Sequence, residues 1–302
     1  MDYRLKNTEL TVCIARRGAE LQSISATDGT EFLWQGSPDY WEDRAPTLFP
    51  YIARLTGGEY ELDGKRYAMP IHGFAPKAVF SLVDPRPDSI ALRLTSSGET
   101  LAMYPYRFCF DVLYALHGRT LSITYRVENV DNQTMYFGVG GHPGFRVPME
   151  PGQRFEDCFL EFSLGCQPRR IDVSPDCFIL ETETPFPLEE SRFLPLHHRL
   201  FDNDAIILKD TSGQVTLRSR GSRYSLRVSY MQMPYLGLWH MPKTDAPYLC
   251  IEPWSSLPSR KGVVENLKTQ PGLVALEAGQ IYENTWSIAI LSEDSTEMRG
   301  SK

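Results

Sequence analysis

Three observations predict an all-β fold of the sandwich or barrel kind. Short segments of alternating apolar and polar residues recur along the 302-residue chain, which suits strands with one buried face. Turn signals separate them, with 22 glycines and 22 prolines spread throughout. Helical periodicity is thin, and only Pro38–Asp43 and Pro187–Arg192 are expected to make single helical turns. Length alone suggests two domains, but an all-β architecture holds this many residues in one. No Gly/Ser linker or shift in composition marks a boundary, so residues 1–302 are expected to form a single domain. No repeat of roughly 20–50 residues is visible, which disfavours a propeller.

The elements follow in order. Thr8–Ala15 alternates through Leu10, Val12 and Ile14, and Glu20–Ile24 alternates again after the turn at Arg16–Ala19. Asp28-Gly29 signals a hairpin leading to Glu31–Trp34, and Asp63-Gly64 signals another between Glu59–Leu62 and Lys65–Met69. Further strands are expected at Val79–Val83, Ser89–Thr95, Phe108–Leu116, Leu121–Val127 and Met135–Val139. Glu150–Pro195, rich in proline and acidic residues, reads as an excursion from the sheets that rims a cleft. The pattern resumes at Ala205–Leu208, Val215–Ser219, Ser225–Tyr230, Leu236–Trp239, Leu249–Ile251 and Thr285–Leu291.

Composition excludes several classes. The formal net charge is −7, and the basic residues form no run longer than the pairs Arg169-Arg170 and Arg260-Lys261, so no nucleic-acid partner is expected. No apolar run approaches transmembrane length, so no membrane partner is expected. The first nine residues carry Asp2, Arg4, Lys6 and Glu9, unlike a secretory signal. Six cysteines form no CxxC pair, and a reduced, cytoplasmic protein is expected.

Four places set ionisable groups in unusual local surroundings. Gly140-Gly141-His142-Pro143-Gly144 puts an imidazole at the end of an extended segment, with little bulk around it and a stiff exit. Histidine is also the side chain best suited to move a proton near neutral pH. Cys250-Ile251-Glu252-Pro253-Trp254 ends an apolar strand on a carboxylate, where an unpaired charge would cost several kcal/mol if buried. Trp254 beside it offers a flat apolar face for the C–H face of a sugar. Arg54 closes the apolar stretch Thr47–Ala53, and its planar fork suits hydroxyls or a phosphate. His72 lies in the turn Ile71-His72-Gly73-Phe74. Asp202 and Asp204, beside Asn203, precede a strand, and local sequence reads them as a plain Asx turn. His197, His198 and His240 carry no specific expectation.

Taken in order, these segments resemble the aldose 1-epimerases, the galactose mutarotase-like proteins, and most nearly their LacX-type and hexose-phosphate-mutarotase-like branch. The resemblance rests on Gly18–Ile24, Phe49-Pro50…Arg54, Ile71–Phe74, Gly141-His142-Pro143, Phe201–Leu208, Cys250–Trp254 and Leu276–Gln280. It implies a mostly antiparallel β-supersandwich with few short helices, and interconversion of the α and β anomers of an aldose or sugar phosphate with no cofactor and no metal. It further implies Glu252 as general base at O1, His142 as general acid at the ring oxygen, and Arg54, His72 and Asp204, with Asp202 as a rival, as sugar ligands. Ala53 before Arg54 and the Met69–Gly73 turn depart from the better-known galactose mutarotases, which bears on sugar identity more than on reaction. Three other readings stand beside it: a carbohydrate-binding protein without catalysis; a metalloenzyme using His72, His142 and Glu252; and a glycosidase pairing Glu252 with Asp202 or Asp204. Lys77 and Arg146 join Arg54 as cations near the motifs that could meet a phosphate.

Overall fold

The strand Tyr248–Trp254 is buried at every position, and the architecture follows from that. In an extended chain alternate residues face opposite ways. Leu249 and Ile251 enter the main hydrophobic core, while Tyr248, Cys250 and Trp254 join two smaller clusters on the other face. Both faces therefore need cover, one from a second sheet and one from loops. The structure is a computed structural model that describes residues 3–292.

The strand is central to an eight-stranded sheet. Its order runs Ile179–Pro185, Arg169–Val173, Ile206–Lys209, Tyr235–Trp239, Tyr248–Trp254, Gly140–Gly141 and Thr47–Leu48, and Gly144–Arg146 also pairs with Tyr248–Trp254. Behind it lies a nine-stranded sheet, ordered Phe193–Pro195, Cys158–Phe162, Gln214–Ser219, Tyr224–Ser229, Ile281–Ser292, Thr120–Asn129, Phe108–His117, Ser89–Thr95 and Ser81–Pro85. Every ladder in both is antiparallel. Thr120–Asn129 shows the reason in its strict alternation, with Leu121, Ile123, Tyr125 and Val127 buried. Each such side chain removed from water contributes about 1.5–3 kcal/mol before chain entropy is counted. Phe49 stacks on Phe110 at 4.4 Å, joining the two sheets through the core.

Ser89–Thr95 and Glu59–Leu62 form as expected, and most other strands differ at their ends by a residue or two. Three expectations are corrected. Glu31–Trp34 makes only isolated bridges, Glu31 with Ser25 and Leu33 with Phe145, and no strand. The stretch from 150 to 195 is no excursion: Cys158–Phe162 and Phe193–Pro195 extend one sheet, and Arg169–Val173 and Ile179–Pro185 the other. Glu181, Thr182, Glu183 and Thr184 lie on the exposed edge strand Ile179–Pro185, which made this part look irregular. Neither expected helical turn forms. Among the described residues the α-helix is Gly98–Met103, where the Ser97 Oγ accepts from the Thr100 N–H and the Thr100 Oγ1 accepts from the Ser97 N–H.

Candidate active site

Glu252 lies opposite Gly237 in the register of two central strands. A Cβ on Gly237 would sit 2.8 Å from Trp254 Cζ2 and 3.2 Å from Glu252 Cβ, so the glycine makes room for both side chains. His142 follows Gly140–Gly141, and its backbone N–H donates to the Pro46 carbonyl at 3.0 Å. The two functional groups meet, with His142 Nε2 lying 3.2 Å from Glu252 Oε2. The contact is close but not aligned as a hydrogen bond. Glu252 Oε2, His142 Nδ1 and Trp254 Nε1 are all buried without a hydrogen-bond partner in the protein.

Burial dominates the electrostatics. Glu252, 1% exposed, is pushed well above the ordinary carboxyl value, chiefly by desolvation; the nearby Trp254 indole offsets part of that, and the Asp204 charge adds to it. His142, 8% exposed, is pushed well below the ordinary imidazole value by burial first and by His72 second. Two groups in contact titrate as a unit. Between their two steps the pair holds one proton, resting on the carboxyl with the imidazole neutral.

His72 is locked by a reciprocal clasp with Ala53. Its N–H donates to the Ala53 carbonyl at 2.9 Å, and the Ala53 N–H donates to His72 Nδ1 at 3.2 Å. The occupied Nδ1 lone pair leaves the ring hydrogen of the neutral imidazole on Nε2. Burial, then the Arg54 charge, lowers His72 to about 4, so it is a neutral donor. Its ring meets that of His142 edge-on at 5.2 Å. Gly73 takes φ +76°, and a Cβ there would lie 2.2 Å from the Phe49 carbonyl oxygen.

These groups line one cleft of about 460 Å³ with Arg54, Asp204, Trp41, Trp239, Met241 and Cys177. Arg54 is exposed on the loop beyond Thr47–Leu48. Its carbonyl accepts from the Ser259 N–H at 3.0 Å, and two residues on the Thr56 N–H donates to Ser259 Oγ at 2.9 Å. The buried Glu265 carboxylate, held by Arg260 Nη2 at 2.9 Å, stiffens that neighbouring loop. Asp204 sits at φ 72°, its Oδ1 accepting from the Ala205 N–H at 2.9 Å.

A profile of the aldose 1-epimerase family matches residues 1–289. The chain belongs to the aldose 1-epimerase family. It is 33% identical to the chromosomal LacX protein of Lactococcus lactis subsp. lactis, over 97% of this chain and all of that one. A galactose mutarotase related enzyme from Lactobacillus acidophilus superposes with a TM-score of 0.91 at 33% identity, covering 97% of this chain and 98% of that one. A galactose mutarotase-like protein from Lactobacillus casei gives 0.92 at 30% identity, covering 96% and 100%. The fold is galactose mutarotase-like.

Within this epimerase-family fold, the six residues singled out by sequence come to one cleft: Arg54, His72, His142, Asp204, Glu252 and Trp254. Asp202 does not line it, nor do Lys77 and Arg146; Arg146 borders a separate depression beside Trp34. Trp254 is on the floor, 2% exposed, its ring occupied by packing against Gly237 and the Leu48–Ile52 cluster. The open aromatic faces are those of Trp41 and Trp239, which sequence reading missed. Trp41 lies 4.9 Å from the His142 ring, and Trp239 stands edge-on to Trp41 at 5.6 Å. His240, next in chain, faces the other way: fully buried, it hydrogen-bonds the Met241 carbonyl through Nδ1 at 2.7 Å and contacts His198 at 3.3 Å.

Proposed function

We propose that this chain is an active mutarotase that interconverts the anomers of a neutral aldose, with His142 and Glu252 as its acid–base pair. The observation carrying this reading is the buried contact between the two, with unpartnered polar atoms on both. Buried polar atoms need partners, and a bound sugar brings hydroxyls and a ring oxygen to supply them.

The chemistry needs one proton moved each way. One member of the pair takes the hydrogen from the O1 hydroxyl, and the other delivers its proton to O5. The C1–O5 bond breaks as the C1–O1 carbonyl forms. Rotation about C1–C2 presents the other aldehyde face, and closure reverses both transfers. O1 and O5 are bonded to the same carbon, so two groups in contact can serve them from neighbouring positions, and they need not face each other across the sugar. Opening with His142 as acid and Glu252 as base uses the microstate in which the proton has crossed that contact. The reverse assignment uses the resting one, and both hold the same single proton.

His72 would donate to a sugar oxygen, Asp204 would accept from hydroxyls and Arg54 would bridge two of them. Among the described residues Arg54 is the one cation lining the cleft, which favours an uncharged aldose over a hexose phosphate. Polarimetry on freshly dissolved α anomers, run beside exchange NMR of hexose 6-phosphates, tests both points. Faster turnover of the phosphates would reverse the substrate assignment, and no acceleration of any sugar would leave a binding protein.

The profile of kcat/KM against pH is expected to be bell-shaped. Activity falls in acid as His142 gains a second proton for the pair, below the ordinary imidazole value of 6.5. It falls in alkali as Glu252 loses the only one, above the ordinary carboxyl value of 4.5. A rate still rising through the alkaline range would remove Glu252 from this role. For the aromatic corner, Trp41→Ala is expected to raise KM about 10-fold, the loss of roughly 1.4 kcal/mol of stacking. Initial rates over a range of sugar concentrations measure it.

A further inference from the structure

The catalytic pair has a third neighbour that the sugar chemistry does not use. Cys250 is two residues before Glu252 on the same strand, so both side chains leave the same face of the sheet. Its thiol is fully buried in the apolar cluster that also contains Trp41 and Trp239. One donor atom each from His142, Cys250 and Glu252 lie within 4.8 Å of one another. We propose that these three residues form a zinc-class metal site, and that a bound ion blocks the sugar cleft reversibly.

The donor set suits that class. A thiolate and an imidazole select zinc or cobalt over magnesium or calcium, and a carboxylate is a common third ligand. Three protein ligands with the fourth position open is the pattern of accessible zinc sites, and two of the three here, His142 and Glu252, line the cleft. Tetrahedral coordination places ligand atoms about 3.3–3.8 Å apart. The His142–Glu252 contact is already near that, and closing the widest gap asks for about 1 Å of side-chain movement. Glu252 Oε2 is buried without a partner, so its coordination breaks no hydrogen bond it makes within the protein. Binding expels the thiol proton and the carboxyl proton to solvent, and affinity therefore rises with pH. The ion would occupy both groups that handle the proton at O1 and O5, so metal and sugar exclude each other.

The test is cobalt titration of the full-length, chelator-treated protein, followed by zinc displacement. A stoichiometric thiolate-to-cobalt absorption band with four-coordinate d–d bands is expected, and zinc should abolish it. Cys250→Ala should remove the thiolate band and weaken zinc by on the order of 100-fold or more. Glu252→Gln keeps the thiol and should also weaken zinc, which covers the case of an alanine variant that folds poorly. Absence of the band in the parent protein, or its survival in Cys250→Ala, overturns the site. Inhibition is read separately, as each protein's rate with zinc relative to its own metal-free rate. That arm rests on the mutarotase reading, whereas the cobalt arm does not. Metal-free protein without activity would therefore sink the function and leave the site standing, and zinc-resistant activity in a cobalt-binding protein would sink the blockade.

Discussion

Glu252→Gln is expected to lower kcat for mutarotation by about 10²–10⁴-fold while changing KM little, because glutamine keeps shape and hydrogen bonding but cannot carry the proton. His142→Asn should do the same. The double variant should cost about as much as the worse single one, since the two act as a unit and their losses do not add. Stopped-flow polarimetry of all three measures this, and near-parental rates in either single variant would reject the pair. The glutamine variant should also be more stable than its parent, by an amount that grows with pH. In the unfolded chain Glu252 ionises near 4.5; in the fold, burial holds it protonated well above that. The raised folded value means its contribution is complete below 4.5 and is lost as pH rises toward the folded pKa. Glutamine has no such loss. His142 has the opposite sign: its folded value is depressed, so stability falls as pH drops below 6.5. Melting temperatures across pH separate the two. Gain of stability with loss of turnover would mark a carboxyl kept buried for its chemistry.

Gly73→Ala is expected to destabilise the fold by roughly 3 kcal/mol or more, lowering Tm by about 5 °C or more. Two costs combine. An L-residue at φ +76° is strained, and its Cβ would lie 2.2 Å from the Phe49 carbonyl oxygen, which the backbone must move to relieve. That movement would disturb the strand entering the cleft and the clasp holding His72, so turnover should fall as well. Gly64→Ala is the control: φ is +71°, but nothing lies within 4 Å of the added Cβ. It should cost only the conformational part, about 1–2 kcal/mol, with activity unchanged. Equal effects at the two glycines would show that crowding at Phe49 is unimportant.

Much of this was legible because the signals were local. The Asp63-Gly64 hairpin sets both its residues at positive φ between Glu59–Leu62 and Lys65–Ala68. His142 and Glu252 stand out because glycine and proline bracket one, and an apolar strand leads to the other. What sequence could not supply was direction. Trp254 and Trp239 look alike in a strand, yet one packs against Gly237 and the other opens on the cleft. Trp41 was hidden in a polar turn whose spacing imitates a helical turn. Asp202 and Asp204 differ by two residues, yet only Asp204, which sits on left-handed backbone, lines the cleft. The edge strand Ile179–Pro185 escaped because one sheet neighbour and open solvent permit polar residues that a central strand would exclude.

Glu252 is carried by a strand sealed on both faces, whereas Trp41, Arg54, Asp204 and Met241 are on irregular connections around it. The proton-handling group is thus welded to the element the whole fold depends on, and the residues that would grip the sugar hang from segments that tolerate replacement. Choice of sugar and capacity for the reaction are separable in this architecture. On the mutarotase reading, grafting different loops around an untouched Tyr248–Trp254 strand would change which sugar is gripped, provided that Asp204 and His72, whose charges and rings bear on Glu252 and His142, are kept.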